Sequence, residues 1–396
     1  MSAERVSRWS RRHVVVGAFF LTAWQAALLL DAPHRTGVVL GLYGFVLHTV
    51  VGKGYTLVPT YFDRSLASPR APAVTLPLLT VGTVGLAVAS TANVPRVVGV
   101  GGAACWALGA VVFVGVIGSS ISDNPVGRET ATGETNADRR WVDRVANAFV
   151  PVVLGYLLVG AYETLAITGV FPSLTGSGAA GASHLLAAGV GALLVFAVGF
   201  RLLPRFLVSS PPRPLVGAVL LTGAVGPALV AGNLWAGTWF RLGAVVEAVA
   251  VGGFALAYLV LFVRSDRRRV GLYGPLAGVT FGVAGVALGL VFAFVTVPAG
   301  GRTAHYLLNL LGFLGLTVVG VAYQFYPPAA GSFLGATNRT ALGSLCGLTV
   351  GLVLAASGAL AGVELVETGG YLFTLAGATL YSYVLVRLFR EQGARR

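Results

Sequence analysis

Charge is what this sequence has least of. Only 10% of its 396 residues are Asp, Glu, Lys or Arg, against 56% hydrophobic residues. A soluble domain carries about a quarter of its residues as charges, so that class is excluded. Lysine is reduced to one residue, Lys53. The two cysteines, Cys105 and Cys346, both stand inside apolar runs, which excludes a disulfide framework and a CxxC metal site. There is no Gly-rich nucleotide loop, no H-E-x-x-H and no G-x-S-x-G, so hydrolytic and ATP-driven classes have no support. Acids are outnumbered 14 to 27 by bases, giving a net charge of +13. The arginines lie mainly in short loops, where they read as topology signals and imply no nucleic-acid partner.

What the sequence has instead is long apolar runs. A bilayer core takes roughly 20 helical residues per crossing. Lipid cannot satisfy backbone polar groups, so helices running the full thickness are expected. Hydropathy and loop charge place twelve spans at 12–31, 36–59, 71–92, 97–118, 144–171, 183–206, 213–232, 239–263, 273–297, 303–328, 339–363 and 369–390. The expected fold is an all-α, polytopic membrane bundle, one transmembrane domain over 1–396 in the lipid bilayer. Loops on one side carry Arg64, Arg70, Arg128, Arg139, Arg140, Arg205, Arg213, Arg264, Arg267, Arg268, Arg269 and Arg339, and the end of the chain adds Arg387, Arg390, Arg395 and Arg396. By the positive-inside rule both termini are cytoplasmic, in a multi-pass protein of the cell membrane. The basic start MSAERVSRWSRRH has no small-residue cleavage site after its apolar run, so a retained first span is expected, with His13 solvated or at headgroup level. The one long polar loop, Ser119 to Asp143, is expected to be a flexible connector without chemistry.

Three spans repeat a pattern. Span 2 reads GLYGFVLHTVVGKGYTLVP, span 6 AAGVGALLVFAVGFRLLP and span 10 LLGFLGLTVVGVAYQFYP. Aligned on Pro59, Pro204 and Pro327, each has a glycine 15 residues earlier (Gly44, Gly189, Gly312) and an aromatic residue 4 earlier (Tyr55, Phe200, Tyr323). Each copy lies four spans after the last, which points to three four-helix repeats, about 12–118, 144–263 and 273–390, with the polar loop 119–143 between the first two. Histidines follow the same helices. His34, His184 and His305 stand at their outer ends and His48 near mid-bilayer. Imidazole ligates haem iron, copper and zinc, and ionisable groups inside a membrane are functional by default.

On these residues the chain resembles subunit I of the haem–copper oxidases, especially the C-type branch, and the related nitric-oxide-response membrane family called NnrS. The resemblance covers all twelve spans in number and order. In that superfamily helices 2, 6 and 10 carry ligand histidines in their outer halves. The resemblance implies a haem b held by His34 or His48 together with His305, and a copper ligand at His184. The sequence also departs from the pattern. Helix 10 of an oxidase carries H-x-H, and here Leu307 follows His305. Helix 7 carries a His-His pair, and PLVGAVLLTGAVGPALVAGN has none. A competent oxygen reductase is therefore not expected. The implied role is electron transfer or a gas or redox response. If the protein is an enzyme it is an oxidoreductase, and its partners are an electron-transfer protein or other membrane subunits.

Lys53, Glu163 and Glu247 are candidates for a proton path or for hydrogen-bond partners of a ligand histidine. Each also has a structural reading. Lys53 can snorkel to the interface, and either acid can pair with a neighbouring arginine. Two other classes stay open. A secondary transporter would use these three residues along a substrate path, and a structural membrane protein would keep the fold without its cofactor.

Overall fold

The computed structural model describes residues 2–91, 93–235 and 237–394; Arg395 and Arg396 lie outside the described residues. The fold is all-α, with no β-sheet among the described residues. Twelve helices are long and apolar enough to cross a membrane: α1 (Ala3–Leu29), α2 (His34–Tyr61), α3 (Ala71–Thr91), α4 (Arg96–Ser120), α5 (Glu134–Ala166), α6 (Gly178–Leu207), α7 (Arg213–Ala231), α8 (Gly237–Val263), α9 (Val270–Phe294), α10 (Gly301–Ala330), α11 (Asn338–Ala361) and α12 (Glu364–Gly393). Their ends follow local chemistry. Pro33 and Pro95 sit in extended conformation immediately before α2 and α4. The Thr337 side chain accepts the Thr340 N–H at the start of α11, and Gly362, with φ 66°, ends it.

Helices α3 and α4, α7 and α8, and α11 and α12 pack as antiparallel hairpins, while α4 lies on α5, α8 on α9, and α12 returns to α1 and closes the ring. Inside stand α2, α6 and α10. In their most apolar stretches 78%, 67% and 78% of residues are buried, against 28% to 50% in the other nine. The same three helices each contain a π-helical stretch, Val39–Val46, Leu185–Ala192 and Leu308–Leu316, and these stretches touch one another at the centre. Hydropathy does not distinguish π from α winding, so this feature was not legible in the sequence.

The repeated glycines now have a physical reason. A Cβ on Gly44 would stand 2.6 Å from the Phe20 ring, on Gly189 2.5 Å from the Tyr156 ring, and on Gly312 2.6 Å from Phe281. The three aromatic residues come from α1, α5 and α9. Each inner helix thus receives a ring from the helix that precedes it. Without a hydrophobic drive between helices in lipid, such close approach supplies the packing energy.

Two expectations need correction. His13 is fully buried rather than solvated: α1 already begins in the basic segment, and Gly52 of α2 leaves room for the imidazole, a Cβ there being 2.5 Å from that of His13. The connector also has fixed structure. Within it Asn124 donates to the Phe62 carbonyl at 3.1 Å, Thr132 donates to Asp143, and Asp143 is completely buried. At its exposed edge Arg64 pairs with Asp123 at 2.9 Å and holds that carboxyl below the usual carboxylate range.

Candidate functional site

The predicted residues fall into separate places. At the end of the inner helices opposite their prolines, His184 of α6 donates from Nε2 to Glu247 Oε1 of α8 at 2.7 Å. His305 stands at the same end, in the first turns of α10. Its Nδ1–H donates to the Gly285 carbonyl of α9 at 3.0 Å, and the Phe292 ring lies 5.2 Å from its own. Its Nε2 has no protein partner among the described residues. Gly289 leaves space for the ring, since a Cβ there would be 3.3 Å from Cε1. The structure therefore joins His184 to Glu247, and sets His305 against α9 at the same end of the inner helices.

His34 is elsewhere. It is exposed at the head of α2, and its ring stands edge-on to Tyr306 at 4.7 Å. Residue 306 lies about 100° around the helix from residue 305. Tyr306 carries the face of α10 that meets α2, while His305 is turned to α9. No hydrogen bond or ring contact joins His34 to His305 among the described residues.

His48 is fully buried and has both ring nitrogens engaged, Nδ1 donating to the Tyr43 carbonyl at 3.0 Å and Nε2 lying 3.2 Å from the Thr80 hydroxyl. Its neighbour is His13, with ring centroids 6.2 Å apart. His13 donates from Nε2 to the Pro72 carbonyl at 3.0 Å, while its Nδ1 is buried without a partner. Glu163 is fully buried and organises a loop, accepting from Ser173 Oγ at 2.7 Å and from the backbone N–H of Leu174 and Thr175 at 2.6 and 3.1 Å. It touches no histidine among these contacts. Lys53 points inward, donating to the Tyr326 hydroxyl at 3.2 Å with Nζ 4.0 Å from the centre of the Phe325 ring.

One polar centre was missed in the sequence. Near the proline ends, the buried Asp143 takes a two-pronged pair from Arg205, at 2.6 and 3.1 Å, and has Arg201 Nε at 3.5 Å. Arg201 also donates to Asn147 Oδ1 at 2.5 Å and to the Tyr61 carbonyl at 2.9 Å, with its guanidinium 4.1 Å from the centre of the Tyr61 ring. The group ties the connector and α5 to α2 and α6. A signal did exist: Arg201 stands 3 residues before Pro204 inside an apolar run, and the matching positions, Thr56 and Gln324, are polar too.

The donors can be tested against the two cofactors implied above. Zinc and copper centres use three or four protein ligands, and among the described residues no three of His, Cys, Asp and Glu converge to hold a metal ion. Haem iron needs as few as one axial histidine. His305 has the form such a ligand takes, with one ring nitrogen fixed by a backbone carbonyl and the other free.

Compared with known proteins, the chain matches no protein-family model and no curated protein. What the fold and composition establish is a polytopic all-α membrane protein, with twelve helices among the described residues long and apolar enough to cross a bilayer.

Proposed function

We propose that this protein serves a redox or gas response in the membrane, with the His184, Glu247 and His305 group as its working site and one haem b held on His305 Nε2. The observation that carries the reading is the fixed tautomer of His305, Nδ1–H to the Gly285 carbonyl, beside a histidine that a carboxylate holds in turn. Bound there, haem supplies one-electron chemistry and a seat for a diatomic gas. The chain's own part is to orient His305 and to hold a proton between His184 Nε2 and Glu247 Oε1. His48, with both nitrogens engaged, has no share in ligation, and Asp143 and Arg201 are structural.

The architecture proposed with this reading is three four-helix repeats around a pseudo-threefold axis. Equivalent π stretches, equivalent glycine and ring contacts and the closed ring of hairpins support it. The proline ends, with the arginine-rich connector, are proposed to face the cytoplasm, as are both termini.

A pyridine haemochrome assay and a reduced-minus-oxidised visible spectrum of protein produced with ample haem test the proposal. Stoichiometric haem that His305→Ala removes and His34→Ala leaves in place is the expected result. Absence of haem bands overturns it. The second reading is a proton-coupled transporter, favoured by the His184 and Glu247 pair, which is only half-buried inside the membrane-spanning helices and so positioned to exchange a proton. It predicts no haem, together with substrate-driven proton uptake in proteoliposomes that Glu247→Gln abolishes.

A further inference from the structure

A cavity of about 120 Å³ lies inside the ring of helices, between α2, α6 and α10. One water requires roughly 10–15 Å³ by this measure, so the space admits a ligand of several heavy atoms. Its wall is written three times. Apart from Val14, every lining residue belongs to one of three sets of seven, standing 13, 10, 9, 6, 5, 2 and 1 residues before Pro59, Pro204 and Pro327. Val50, Val195 and Val318 hold the position 9 residues before (59−50, 204−195, 327−318). The span from first to last position is about 18 Å at 1.5 Å per residue. Its far end is closed where the π stretches meet.

One residue brings a charge to this wall. At 6 residues before the proline, α6 and α10 have Val198 and Val321, and α2 has Lys53. No Asp or Glu lines the cavity, and no carboxylate pairs with Lys53 among the described residues. An ammonium inside a membrane protein is costly and is normally paired. Its present partners are a phenol and two aromatic rings. The missing partner is an anion, and the cavity limits which one. At the lysine, Nζ and the Tyr326 hydroxyl offer donors to the two oxygens of a carboxylate. The remaining wall is valine, leucine, glycine and alanine, with the Phe325 ring and two buried threonines, Thr49 and Thr317, and it suits a hydrocarbon chain.

We infer that this axial cavity binds an amphipathic monocarboxylate, its carboxylate on Lys53 Nζ and Tyr326 Oη and its alkyl chain along the valine wall toward the π stretches. The equivalence of the three helices rests on the three-repeat reading, but nothing in the inference depends on haem.

Radiolabelled decanoate is the probe, measured by equilibrium dialysis against the full chain in nanodiscs, with empty nanodiscs subtracted. The expected result is saturable binding of one decanoate per chain. Lys53→Met should weaken it at least tenfold. Val195→Phe, which fills the cavity and leaves the charge, should do the same. In the double variant Lys53→Val with Val198→Lys, the cation returns to the axis from another helix, and affinity should recover most of what Lys53→Met loses. Decanol should bind no better to the natural chain than to Lys53→Met. Absence of saturable binding, binding that Lys53→Met and Val195→Phe leave unchanged, or failure of the relocated lysine to restore it in a folded double variant overturns the site. Haem content, read on the same preparations, reports separately on His305.

Discussion

The axial faces of α2, α6 and α10 and the flanks of the same helices follow opposite rules. Along the axis the three correspond position by position: a glycine 15 residues before the proline accepts a ring from the preceding helix, and the same seven positions line the cavity. On the flanks no two are alike. The flank of α2 carries His48 beside His13 of α1, that of α6 carries His184 at one end and Arg201 at the other, and that of α10 carries His305. Packing against the preceding helix takes one form in all three, whereas each polar group answers to its own local partner. Lys53 is the exception, a single charge placed on the repeated face.

Substitutions on the flanks and on the axis can break that contrast. The largest effect is expected from Asp143→Ala, which leaves Arg201 and Arg205 without their shared carboxylate. Removing one partner of a buried ion pair costs about 3–5 kcal/mol, and thermal unfolding in detergent should show the loss. A change below about 1 kcal/mol would mean the group is solvated. Next, Gly44→Leu, Gly189→Leu and Gly312→Leu should each destabilise by about 1–3 kcal/mol through overpacking. If the axial faces are equivalent the three costs agree within about 1 kcal/mol, and Phe20→Ala should recover part of the loss in Gly44→Leu. A wide spread in the same melts would break the equivalence.

A flank histidine should then behave according to its partners. His48→Leu removes the buried imidazole and its bond to the Tyr43 carbonyl, at a cost of about 1–3 kcal/mol. Glu163→Gln keeps the size of the side chain and weakens its charge-assisted bonds to the loop, with an expected loss of about 1 kcal/mol and faster amide exchange at Leu174 and Thr175. The smallest effect is expected at exposed His34, where alanine should change the melting free energy by less than about 0.5 kcal/mol. A larger loss there would show that His34 has a partner its placement does not reveal.

Much of the architecture was legible. The spans are long apolar runs, and the Gly44, Gly189 and Gly312 alignment already located the inner helices. The site was legible only in part. Glu247 could be proposed as a histidine partner, but nothing in the sequence selected it over Glu163, which instead ties down a loop. His13 was misplaced because a basic flanking segment resembles a headgroup anchor, although its first turns continue a membrane helix. Asp143 was set aside because a polar loop does not show which of its carboxylates will be covered.

Twelve apolar runs, their order and the recurrence of one residue pattern in every fourth run can be read along the chain, because hydropathy and helix period are properties of neighbouring residues. Which polar groups meet is settled by the packing of whole helices. That choice depends on how far each helix is rotated about its own axis, at about 100° per residue. One residue's step separates His305, which faces Gly285 and Phe292 of α9, from Tyr306, which faces α2 and His34. The rotation is set by contacts such as Phe281 against Gly312, far from the histidine in sequence and on another helix.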